Sequence, residues 1–187
     1  INDIVFSYFE FLKVSNAVNT DTYNELDIIN YNLFEYKDEP SDYVDMVVDA
    51  SYNMFDARIK GKEDVVVFSE YDFIQDKIIR TKTLGEVFEE IKQLAYLLRQ
   101  NGIKKGDVVG VYSTSIAESF VFIHACIRIG AVAHGIFENF SGEEIKKRLL
   151  KIKTKAILAC SGRYVGNEIV SMANNLKAAL VRDTNSN

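Results

Sequence analysis

Between Thr83 and Cys160 one local pattern recurs three times: a helix opened by a hydroxyl residue, a stop, and a short apolar strand. Thr83 is answered by Glu86, Ser115 by Glu118 and Ser141 by Glu144, the spacing of a reciprocal capping box at a helix start. After Thr83, Leu84, Val87, Phe88, Ile91, Leu94, Ala95 and Leu98 recur at three-and-four spacing, which predicts one apolar stripe facing a core. Asn101-Gly102 stops that helix, and Val108 to Tyr112 reads as a buried strand. The second helix, Ile116 to Ile129, is apolar nearly all round and so deeply packed; Gly130 ends it before a strand from Ala131 to Phe137. The third helix ends near Lys153, ahead of the strand Ala156 to Cys160. Strands that alternate with helices imply right-handed crossovers and a three-layer α/β fold, with a mainly parallel sheet between flanking helices.

The flanks are less regular. Ile4, Val5, Tyr8, Phe9, Phe11 and Leu12 fit an amphipathic helix from Asp3 to Val14, which must dock on this chain's core or on a part beyond it. Residues 16–49 are polar, acidic and turn-rich, and read as an extended arm. Tyr52, Phe55 and Ile59 place a helix over Tyr43 to Ile59, followed by a loop from Lys60 to Asp64. Val65 to Phe68 and Lys77 to Arg80 read as two strands of an edge hairpin joined by a Glu70–Asp76 turn. Gly166 to Leu180 is expected to be a fourth helix, with a further strand starting at Leu180-Val181. The division expected is an N-terminal helix and arm over residues 1–60, and βα units over residues 61–187.

Charge follows the same division. Residues 1–60 carry 12 acidic and 4 basic side chains, and the other residues 15 and 18. No strongly basic face is present, which argues against a nucleic-acid partner. No uninterrupted apolar run reaches the ~18 residues of a membrane span, and no secretory leader is visible at the N-terminus. Cys126 and Cys160 fall in apolar segments and read as free thiols of a reducing compartment, cytoplasmic or also nuclear.

Several ordered runs resemble a known family. They are Ser51 to Arg58 (SYNMFDAR), Asn101 to Tyr112 (NGIKKGDVVGVY), Ala125 to Val132 (ACIRIGAV), Phe137 to Glu144 (FENFSGEE) and Gly162 to Gly166 (GRYVG). Over residues 48–180 the chain is similar to the N-terminal part of AMP-forming acyl-CoA synthetases, most of all the acetyl-CoA synthetases. The resemblance implies a ligase that joins a carboxylate to ATP with Mg, then transfers the acyl group to CoA. In that family a Ser/Thr/Gly-rich loop ending in Lys holds the phosphates. No such loop is found here, since Ser113-Thr114-Ser115 lacks both glycine and lysine. The resemblance therefore implies the front part of an enzyme, inactive alone, with no catalytic residue and no tightly bound cofactor of its own. The missing C-terminal part would be its partner, and an incomplete sheet would lead the isolated segment to self-associate. The rival reading is a free-standing, non-catalytic α/β interaction module.

The resemblance also implies two coenzyme contacts, Phe137 and Arg163. Phe137, Phe140 and Ser141 match the family's Phe-Gly-Gly-Phe-Ser turn, but Glu138 and Asn139 replace its glycines. Gly162 and Gly166 match a loop whose cations hold the CoA phosphate, but Tyr164 and Asn167 stand where those cations belong, and Arg163 is one place off register. The other reading of both loops is plain strand-to-helix connection. His124 and His134 read as core residues. The basic run Lys146, Lys147, Arg148, Lys151, Lys153 and Lys155 is either a solvated helix face or a phosphate contact. No spacing suggests a metal site.

Overall fold

Four strands make the central sheet of the computed structural model, which describes residues 4–6, 49–72 and 74–181. In chain order the elements are β1 (Ile4–Phe6), α1 (Ala50–Met54), β2 (Val66–Asp72), β3 (Lys77–Thr83), α2 (Leu84–Gln100), β4 (Val108–Tyr112) and α3 (Ala117–Arg128). They continue with β5 (Val132–Ile136), α4 (Gly142–Lys151), β6 (Ala156–Ala159), β7 (Gly162–Val165), β8 (Glu168–Ser171) and α5 (Met172–Leu180). The sheet runs β1-β6-β4-β5, every pair parallel, with Val109 opposite Ala156 and Val108 opposite Val132. The three-layer α/β expectation is met.

Alternation along the strands divides the core in two. Val109, Val111, Ala156 and Leu158 face one side and pack against α2 and α3, where Val87, Ile91, Leu98, Phe122 and Ala125 are buried. Tyr112, Ile136 and Ile157 face the other side, against Ile145 and Leu149 of α4 and Met172 and Leu176 of α5. A sheet covered on both faces is what continuous apolar strands require. Gly142 lets α4 lie close to α5, since a Cβ there would stand 2.8 Å from the Ala178 Cβ.

The Thr83–Glu86 and Ser141–Glu144 capping boxes form with both of their hydrogen bonds. The Ser115–Glu118 box does not. The residue at the N-cap of α3 is Ile116, which offers no side-chain acceptor, and Glu118 is drawn instead to Arg80. The β2–β3 hairpin is present as a separate antiparallel sheet, with strands longer than the apolar runs.

Further expectations are corrected. Residues 4–6 form a strand beside β6 rather than the start of a helix, because three consecutive apolar residues fit an open parallel ladder as well as a helix face. The rest of the Asp3–Val14 helix and nearly all of the arm lie outside the described residues. The helix expected over Tyr43 to Ile59 is reduced to Ala50–Met54, followed by turns, and its first six residues also lie outside. The fourth helix starts at Met172 rather than Gly166, because Gly166-Asn167 closes a two-residue turn between β7 and β8. Gly166 has φ +59°, which glycine adopts without strain. Ser171 then caps α5, and Val181 begins no strand.

Candidate active site

The strand order fixes where a ligand can bind. Chain progress runs from β4 outward to β5, then returns across β4 to β6. The helix after β4 covers one face and the helix after β5 the other, so the connections part at the carboxyl ends of β4 and β5. In open α/β sheets that crevice is the usual binding place. A cleft of about 860 Å³ lies there. Val111 and Ile136 contribute its floor, Ile116, Ser119, Phe120 and Ile123 one wall, and Phe68 of β2 part of another. Its rim carries Phe137, Glu138, Asn139 and Arg163.

The rim joins two connections distant in sequence. Arg163, on β7, points its Nη1 to Glu138 Oε1 at 3.8 Å. Its Nε is buried with no hydrogen-bond partner. The Tyr112 hydroxyl donates to the Glu138 carbonyl oxygen at 3.4 Å, which ties the β5–α4 connection to the end of β4. Phe137 is 73% exposed and meets Phe140 edge-on, with ring centroids 5.5 Å apart. The structure thus brings both sequence-derived residues, Phe137 and Arg163, to one rim.

Below the rim the hydroxyls of Ser113, Thr114 and Ser119 bond to one another, to the Cys160 sulfur and to the Thr114 carbonyl. Ser113 Oγ lies 2.7 Å from both Ser119 Oγ and Cys160 Sγ, and the Ser119 hydroxyl is 3.0 Å from the Thr114 carbonyl oxygen. Both cysteines are free, and burial pushes the Cys126 thiol up to about 12. His124 is buried between Phe55 and Phe120, with ring centroids at 5.1 and 4.4 Å, and lies behind the wall rather than in it. Desolvation holds it below the ordinary histidine value, with Asp49 acting weakly the other way.

The basic run on α4 and the turn after it is largely engaged. Lys147 pairs with Glu143 at 2.6 Å, Lys155 with Asp107 at 2.6 Å, and the Arg148 guanidinium lies 4.1 Å from the Phe140 ring centroid. Of the two readings of that run, the geometry favours a helix face with local partners.

Among the described lining residues Arg163 is the one cation and Glu138 the one carboxylate, so the cleft brings no net positive charge to a phosphate. Taken alone, these residues do not fit a multiply charged phosphate group. Among the described residues no group of three or more His, Cys, Asp or Glu could hold a metal ion, and no helix is long and apolar enough to cross a membrane.

Sequence reasoning missed Glu70 and Arg80. Glu70 accepts from the Ala117 amide at 3.1 Å and so supplies the cap that α3 lacks locally. Arg80 holds Glu70 and Glu118 together. Nothing within a few residues of either one signals this.

Residues 55–185 match the family described as AMP-binding enzyme. The acetyl-coenzyme A synthetase of Shewanella sediminis is 33% identical over 139 residues, covering 74% of this chain and 21% of that protein. That of Penicillium chrysogenum is 33% identical over 129 residues, 68% of this chain and 19% of its own length. That of Marinobacter nauticus is 31% identical over 172 residues, 91% of this chain and 24% of its own. The chain spans about a fifth to a quarter of the length of these relatives.

Proposed function

The chain belongs to the AMP-binding enzyme family, and we propose that it is the N-terminal portion of an acid–thiol ligase of the acetyl-CoA synthetase type. Such a ligase joins a carboxylate to ATP as an acyl-adenylate with loss of pyrophosphate, then passes the acyl group to CoA with loss of AMP. The observation that carries this reading is the convergence of the Phe137–Ser141 and Gly162–Val165 segments on one rim at the carboxyl ends of the parallel strands. Phe137 offers an exposed aromatic face to a base, and Arg163 a guanidinium to a phosphate. Glu138 competes for that guanidinium, so CoA meets this chain weakly, and the charges that hold ATP, Mg and the CoA phosphate firmly come from elsewhere in the ligase. On this reading the chain alone does not adenylate. Carboxylate-dependent exchange between ATP and pyrophosphate stays at the no-protein blank, and exchange above it rejects that part.

The test of the rim is a titration of CoA into the chain, followed by NMR. Amide signals of residues 137–141 and 162–165 are expected to shift, and Arg163→Ala to abolish the shifts. Shifts confined to other residues, or none at all, would reject the reading.

A further inference from the structure

The β2–β3 hairpin stands outside the parallel sheet, yet Phe68 of β2 forms part of the cleft. Little apolar burial holds it there. Val67, Tyr71, Ile78 and Ile79 are exposed, and the residues of the hairpin that are at least half-buried are chiefly Phe68, Glu70, Arg80 and Lys82. Lys82 reaches Glu90 of α2, and Phe68 meets Phe120 of α3 with ring centroids 5.2 Å apart.

Arg80 does most of the fastening to α3. Its Nε and Nη2 donate to Glu70 Oε2 and Oε1 at 2.8 and 2.6 Å. Its Nη1 and Nη2 donate to Glu118 Oε1 and Oε2 at 2.5 and 2.8 Å. Glu70 Oε1 in turn accepts from the Ala117 amide, where an N-cap side chain would otherwise sit. One guanidinium therefore ties β2, β3 and the first turn of α3 together, and that turn opens the wall facing Phe68.

We propose that Arg80 is a positioning residue of the cleft. By holding Glu70 on the N-terminus of α3, it fixes the Phe68 side against the Ile116–Ile123 wall and so sets what the cleft admits. The planar fork of arginine is required, because a lysine ammonium cannot present paired, fixed donors to both carboxylates. A consequence follows for ligands. The positive end of α3 is already met by a carboxylate of this chain, so an anion entering the cleft gains nothing from it. The proposal concerns the cleft whatever it binds, and does not rest on the coenzyme reading.

Amide hydrogen exchange and proton–proton Overhauser contacts, both by NMR on the whole chain, test it. In Arg80→Met the Ala117 amide is expected to exchange roughly tenfold faster or more, while Val121 and Phe122 in mid-helix keep their rates. The contact between the Phe68 and Phe120 rings is expected to weaken in the same variant. Arg80→Lys restores neither. Should Arg80→Met fail to fold, Glu70→Gln gives the same pattern more mildly, since Arg80 keeps Glu118. Unchanged Ala117 exchange would overturn the proposal. Equal acceleration at Ala117 and Phe122 would also overturn it, because Arg80 would then be a general stabiliser.

Discussion

The parallel sheet and the β2–β3 hairpin border the same cleft and are held by opposite means. In the sheet and its helices Val109, Tyr112, Phe122 and Ile145 are wholly buried. In the hairpin Val66, Ile78 and Ile79 are more than half exposed, and attachment to the body runs through Arg80, Glu70, Glu118, Lys82 and Glu90, with Phe68 as the main apolar contact. Burial is non-directional, so it gives a stable slab without fixing the position of one atom against another. A guanidinium forked between two carboxylates adds less stability but sets position closely. The body of the cleft is therefore built by the first means, and its hairpin side by the second.

The sharpest way to break the comparison is to damage each region in turn. Phe122→Ala removes a fully buried ring and is expected to cost about 3–5 kcal/mol in urea denaturation, with little dependence on salt. Arg80→Met is expected to cost about 2 kcal/mol. That is less than the ~3–5 kcal/mol for breaking a fully buried pair, since over a third of the Arg80 side chain is exposed. Its deficit should shrink in molar salt, where screening acts over about 3 Å. A salt-independent deficit would mean that Arg80 acts through packing.

Smaller effects sharpen the same contrast. Ser141→Ala removes a formed cap and is expected to cost about 1 kcal/mol, whereas Ser115→Ala should change stability by less than about 0.5 kcal/mol. Equal losses would restore Ser115 as the cap of α3. Acid should loosen the hairpin before the sheet. The hydrogen bond from Arg80, aided by the Ala117 amide and the charges of Arg80 and Lys82, holds the Glu70 carboxyl below its ordinary value. Its contribution is present above the ordinary glutamate value of about 4.3 and is lost as pH falls through the lower, folded value. Exchange of the Ala117 amide against that of Phe122 across this acid range checks the sign.

What the sequence disclosed was local, or lay along an apolar run. Thr83 and Ser141 could be read as caps because their partners lie three residues away and nothing competes for them. Ser115 carries the same spacing, but Glu118 finds a guanidinium 38 residues upstream, which no window around Ser115 contains. The reading of a helix from Gly166 overlooked the Gly-Asn turn, and Ile169 and Val170 were equally at home in a strand. For the site, Phe137 and Arg163 came from resemblance to known motifs. That they share a rim depends on the strand order, since β6 lies beside β4 and not beside β5. The pairing of Arg163 with Glu138 appears only once that order is known.

On the proposed function this rim receives the phosphate-bearing end of CoA, and Glu138 withholds Arg163 from it. The affinity of Glu138→Gln for CoA, set beside that of the unsubstituted chain in one NMR titration, tests it most directly. Tighter binding by Glu138→Gln, lost again when Arg163→Ala is added, is the predicted result. Equal affinities with and without the carboxylate, or a gain that survives the loss of Arg163, would contradict it.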